Sequence, residues 1–161
     1  MTGHLGFSYV GLIYLIILFV PNSIWAKNKP AGYGELVKKE KKILLVFERA
    51  GQVCVTCCAL IFRDFNIMPF SCQSWWLIVS ALCMLLYIVF WIRYFTKGKT
   101  LENFYKNLFC IPVPGASLPV AAFLLLGIYG RVIWMIISIT VLGVGHIGIH
   151  TQYLRMMKQP G

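Results

Sequence analysis

Apolar residues in this chain run in long blocks separated by short basic stretches. The first block, Leu5 to Val20, ends at Pro21-Asn22. The second, Ile43 to Phe62, is closed by Arg63-Asp64, and the third, Trp75 to Phe95, opens on a tryptophan pair. Trp75 and Trp76 have amphipathic rings that favour the headgroup level of a bilayer. About 20 apolar residues at 1.5 Å each cross a hydrocarbon core of about 30 Å. The blocks therefore predict membrane-spanning helices over residues 5–21, 43–62 and 75–95.

The last block, Ser117 to Tyr153, has 37 residues. As one helix it would be roughly 55 Å long, nearly twice the core, so it has to turn. Gly127, Gly130 and Arg131 supply the break, because glycine weakens a helix interior and a charge is costly in mid-membrane. A short fourth span over 117–129 and a full fifth over 132–153 follow. The expected fold class is all-α: a polytopic bundle of five transmembrane helices forming a single transmembrane domain over residues 1–161.

Composition agrees. Of 161 residues, 59% are hydrophobic and 12% charged, against about 25% charged in soluble chains, which excludes a water-soluble domain. Disorder is excluded by the same apolar content. The net charge of +10 is a topology signal, since short cytoplasmic loops are enriched in Lys and Arg. With five spans and the N-terminus outside, one side receives Lys27, Lys29, Lys38, Lys39, Lys41, Lys42, Arg93, Lys97, Lys99, Lys106, Arg155 and Lys158. The other keeps Arg63 and Arg131. This predicts a multi-pass membrane protein with its N-terminus outside and its C-terminus in the cytoplasm. No Lys or Arg precedes Leu5, so the first block reads as a mature helix and not as a signal peptide.

Ala26 to Lys42 is broken by Pro30, Gly32 and Gly34, becomes helix-compatible from Glu35, and is expected to lead straight into the second span. Residues 100–110 predict a helix lying on the membrane. Thr100 is its N-cap, Leu101, Phe104, Tyr105, Leu108 and Phe109 form its apolar face, and Pro112 and Pro114 end it. With basic flanks, such a helix suits a bilayer with an anionic inner leaflet. The basic residues form no motif that would present them to a groove, so no nucleic acid is expected. A membrane-protein partner or a homo-oligomer is compatible with the pattern.

Ionisable groups inside spans normally face a partner or a cavity. Glu48, Gln52 and Thr56 recur at four-residue spacing on one face of the second span, with Arg49 about 100° from Glu48. His146 and His150 share a face of the fifth span with Gly143 and Tyr153. Counted from the basic ends of the two antiparallel helices, Glu48 falls near the depth of His150 and Gln52 near that of His146. This predicts a polar cluster in the inner half of the bundle, joined by Asn22 and by the third-span face of Ser80, Cys83, Tyr87, Trp91 and Tyr94. The groups either bind each other, each interhelical hydrogen bond contributing roughly 0.6–2 kcal/mol, or line a pocket or ion path.

His146 and His150 are the only metal-ligand candidates, and a structural zinc usually wants four ligands, so no metal and no cofactor is expected. Haem or metal binding through this pair is the alternative reading, together with thiol redox chemistry at the CxxC of Cys54 and Cys57. Mid-bilayer burial opposes thiolate formation, and buried unpaired cysteine is the simpler state. No nucleotide-binding glycine motif, HExxH or Ser/His/Asp set is present. The composition fits a binding, transport-related or accessory protein better than an enzyme.

The blocks FVPNSIWAKNKP (Phe19 to Pro30), GQVCVTCCALIF (Gly51 to Phe62) and GVGHIGIH (Gly143 to His150) resemble those of a family of small bacterial integral membrane proteins with five helices and no assigned activity. The resemblance implies a five-helix inner-membrane protein and brings no functional residue with it.

Overall fold

The computed structural model describes residues 2–158, and among these the regular structure is entirely helical. The helices are α1 (Tyr9–Lys27), α2 (Tyr33–Lys38), α3 (Lys42–Ile61), α4 (Ser74–Thr96), α5 (Leu101–Tyr105), α6 (Pro114–Tyr129) and α7 (Ile133–Lys158), with a 3-10 turn at Arg63–Phe65. Four of them, α1, α3, α4 and α7, are long and apolar enough to cross a membrane, and α6 is a shorter apolar helix. Large apolar side chains such as Ile16, Leu82, Leu85 and Ile92 point outward, as a hydrocarbon solvent permits.

Expected and observed boundaries differ where backbone chemistry is handled locally. The first span does not stop at Pro21. α1 continues to Lys27, because a proline inside a membrane helix is tolerated where nearby groups take up the freed carbonyls. The Asn22 side chain, in the same turn, donates to Leu18 O at 2.9 Å. Leu5 to Phe7 is not helical. Gly6 N donates to Ile61 O at 2.9 Å and Arg63 N to His4 O at 3.2 Å, so residues 4–6 form a strap across the end of α3. The His4 imidazole meets Asp64 at 2.8 Å, and its backbone N–H also binds this carboxylate. Partial burial opposes the Asp64 charge, but these His4 contacts outweigh it and hold the carboxyl below its ordinary range.

The basic stretches collect at the opposite end of the bundle, called here the basic end. There α2 is a separate short helix instead of a straight lead into α3. It starts after Gly32, which takes φ 81°, and it buries Tyr33. Thr100 caps α5 as its sequence suggests, accepting from Asn103 N at 3.2 Å, but the helix stops at Tyr105 and does not lie flat over 100–110. The Arg93 guanidinium donates to the carbonyls of Lys106 and Asn107 at 2.7 and 2.8 Å, giving the chain acceptor partners outside a helix. As a result Phe104, Tyr105 and Leu108 turn into the core, and Phe109 alone of the apolar face is exposed.

α3 packs along α7, and α6 lies between α4 and α7. Glycines set the α3–α7 contact. A Cβ on Gly51 would come within 2.5 Å of Leu142 Cα, and one on Gly145 within 2.6 Å of Leu44 O. Small residues are what let membrane helices approach this closely, and packing is what then holds them. α1 approaches α3 closely at Gly11, where a Cβ would fall 2.7 Å from the Ala59 carbonyl carbon. The α6–α7 turn comes where Gly127, Gly130 and Arg131 predict it, with Gly130 seated against the Phe65 ring.

Candidate functional site

The register fixed by Gly51 and Gly145 brings α3 and α7 together with Glu48 Oε1 2.5 Å from His146 Nδ1. This is one helical turn away from the pairing expected by depth counting, which set Glu48 opposite His150. Counting from helix ends assumes that the two helices begin at one level. α7 in fact runs on to Lys158, and the glycine seats decide the offset. His150 is buried and its Nδ1 lies 3.0 Å from the Tyr105 hydroxyl. The two imidazole rings meet edge-on, 4.7 Å apart.

These groups stand in the wall of a cavity of about 340 Å³ in the basic half of the bundle. Its floor of rings comes from five elements: Trp25 of α1, Tyr33 of α2, Trp91 of α4, Phe104 of α5 and Tyr153 of α7. Trp25 stacks on Phe104 at 5.3 Å, Tyr33 meets Tyr153 at 5.7 Å and Phe104 meets His150 at 5.9 Å, so the rings form one connected layer. Toward mid-bundle the lining becomes aliphatic, with Leu18, Val55, Ile139 and Leu142.

A second carboxylate, Glu40, also lines the cavity and accepts from the Tyr153 hydroxyl. Gln152 fixes this edge: its side chain donates to Lys39 O at 2.7 Å, and its oxygen accepts from Lys41 N at 3.4 Å. Burial pushes the Tyr33 hydroxyl up from its ordinary pKa, and the carboxylates of Glu48 and Glu40 add to the rise.

Arg49 and Gln52 line the cavity beside Glu48, and among the described residues the Arg49 guanidinium has neither a hydrogen bond nor an ion pair. The remaining predicted positions lie elsewhere. Thr56 donates to Gln52 O in its own helix at 2.8 Å and does not line the cavity. Tyr87 is fully buried and accepts from Asn22 at 3.0 Å, linking α4 to α1 behind the cavity wall. Of the third-span face, Ser80 donates to Ala122 O at 2.7 Å and only Trp91 reaches the cavity.

Glu40, Tyr33, Trp25 and Lys29 belong to the site and escape a reading based on spans, because they sit outside the apolar blocks or at their edges. One signal was available: Glu40 is the lone acid within the Lys38–Lys42 run. Among the described residues no three His, Cys, Asp or Glu side chains converge as a metal set. Cys54 and Cys57 are free and exposed on the outer face of α3, while Cys58 is buried with its sulfur 3.8 Å from the Ser138 hydroxyl.

Compared with family models, with curated proteins and with solved structures, the chain matches none. The reading of the site rests on its geometry.

Proposed function

We propose that this chain is a multi-pass protein of the bacterial cytoplasmic membrane that binds a small molecule in its basic-end cavity. In this reading the basic end faces the cytoplasm, following the distribution of Lys and Arg. α6, at 16 residues or about 24 Å, completes a fifth short span between α4 and α7. The fold family is then the one that the sequence blocks resemble, and the role is that of a binding, transport-related or accessory protein.

The observation that carries the proposal is the Glu48–His146 pair on the wall of an open cavity. Groups that serve only as glue between helices are expected to be packed over, whereas this pair borders about 340 Å³ of space, within the range of about 300–1,000 Å³ typical of small-molecule sites.

Gentle purification followed by mass spectrometry of the organic extract tests it. Wild-type protein should carry one molecule near stoichiometric amount, and Glu48→Gln should lower its occupancy about tenfold while the protein stays monodisperse. An empty wild-type cavity, with Glu48→Ala lowering only the melting temperature, would make the pair structural. Reporter fusions after Lys97 and Lys158 test the orientation, and either one reporting an exterior location contradicts it.

A further inference from the structure

We infer that the cavity receives the head of a lipid bearing both a phosphate and an ammonium group, of the phosphoethanolamine type, inserted sideways between α1 and α3. The inference rests on the cavity-binding reading and adds to it the ligand class and the route.

The route follows from how α1 is attached. Its backbone hydrogen bond and its glycine approach to α3 lie at the end away from the lysines, where Ser8 N donates to Leu60 O at 3.0 Å and Gly11 lies on Ala59. Further along, α1 turns to α4 through Leu18, Asn22 and Tyr87. The gap left beside α3 is bordered by Phe19, Arg49 and Gln52, all exposed on the outer surface of the bundle. A molecule already in the lipid reaches the cavity through this gap without crossing water.

The class follows from the order of charges. At the gap stands Arg49, without a partner among the described residues and about 10 Å along α3 from Lys42, where its guanidinium is free to hold an anion. The other charged wall groups are the carboxylates of Glu48 and Glu40 and the ammonium of Lys29, set among Trp25, Tyr33, Trp91 and Tyr153. The protein's own Lys29 shows what this wall accepts, since its ammonium lies 5.8 Å above the Trp25 ring and 6.0 Å above that of Tyr33. An anion alone would stop at Arg49, and a cation alone would have to pass it. A head with phosphate outermost and ammonium innermost matches both. The volume suits a head group and leaves the acyl chains in the bilayer.

Native mass spectrometry with defined lipids tests this on the full chain. Dioleoyl phosphatidylethanolamine should be retained about tenfold over its N-acetyl derivative, which lacks the charge, and over phosphatidylglycerol. Arg49→Gln and Glu40→Gln should each lower its retention about tenfold; Glu40 lies at the cavity edge, away from the α3–α7 seam. Gln52→Trp, placed in the gap, should block it.

Equal retention of phosphatidylglycerol, lost in Arg49→Gln and indifferent to Glu40→Gln, would mean a phosphate held on an exposed arginine and would overturn the inference. So would soluble phosphoethanolamine binding as well as the lipid. If the protein instead retains another molecule, lost in both Glu48→Gln and Gln52→Trp, the inference fails while the cavity reading stands. If it retains nothing, both fail.

Discussion

The two ends of this bundle are built on different principles. Around Asp64, the chain is strapped and close-packed: residues 4–6 cross the end of α3, Gly11 lies on Ala59, Gly130 lies on Phe65, and Phe65, Leu126, Val132 and Met135 are fully buried. Around Lys42 a cavity lies beside α3, bordered by aromatic rings from five elements. In lipid, where no hydrophobic force drives helices together, close packing supplies the stability. One end is thus packed throughout, whereas the other is held at the α3–α7 seam, where Gly145 lies on the Leu44 and Glu48 backbones, and leaves open space beside it.

The largest effect expected from this contrast is at the α3–α7 seam. Gly145→Leu puts a side chain where the Leu44 and Glu48 backbones already lie, so it should cost about 3 kcal/mol or prevent folding altogether. A variant that purifies with unchanged thermal stability would show that the helices are not held at this distance.

Next come truncations on the two sides of the boundary, along one face of α7. Met135→Ala, within the dense end, should cost about 3 kcal/mol. Ile139→Ala, one turn further and bordering the cavity, should cost about 2, because its neighbours on one side are already missing. Equal losses in chemical or thermal unfolding would erase the distinction between the ends.

The smallest effect belongs to the strap. Since the folded state holds the Asp64 carboxyl below its unfolded value of about 3.9, the pair contributes stability above that pH and loses it as pH falls through the folded value. The melting temperature should therefore drop on acidification below about pH 4, and Asp64→Asn should flatten that limb. An identical acid limb in the variant would assign the loss to other carboxylates.

How much of this the sequence discloses depends on whether a feature is local. Hydropathy places Ile43–Phe62 and Trp75–Phe95 within a residue of α3 and α4 at each end, because a run of apolar side chains needs no knowledge of its neighbours. The α6–α7 turn is equally local. Pro21 misleads for the opposite reason: whether it ends a helix depends on the groups around it, and here α1 runs on. α5 is shortened by a guanidinium from another helix. The candidate site divides in the same way. That Glu48 and His146 belong to one polar cluster is visible from periodicity and depth. Their register is not, since it follows from glycines meeting a partner backbone. Glu40 and Tyr33 stay hidden in a basic loop until α2 seats Tyr33 against Trp25 and Tyr153, and the cavity is lined by elements far apart in the chain.

Of the five tryptophans, Trp75, Trp76 and Trp134 are exposed at or near the Asp64 end, while Trp25 and Trp91 both border the cavity. The ring layer thus places two indole fluorophores beside the open space and keeps the other three away from it. Occupancy can be followed in the unlabelled protein by emission, with a Trp25→Phe, Trp91→Phe pair of variants separating the near signal from the distant one.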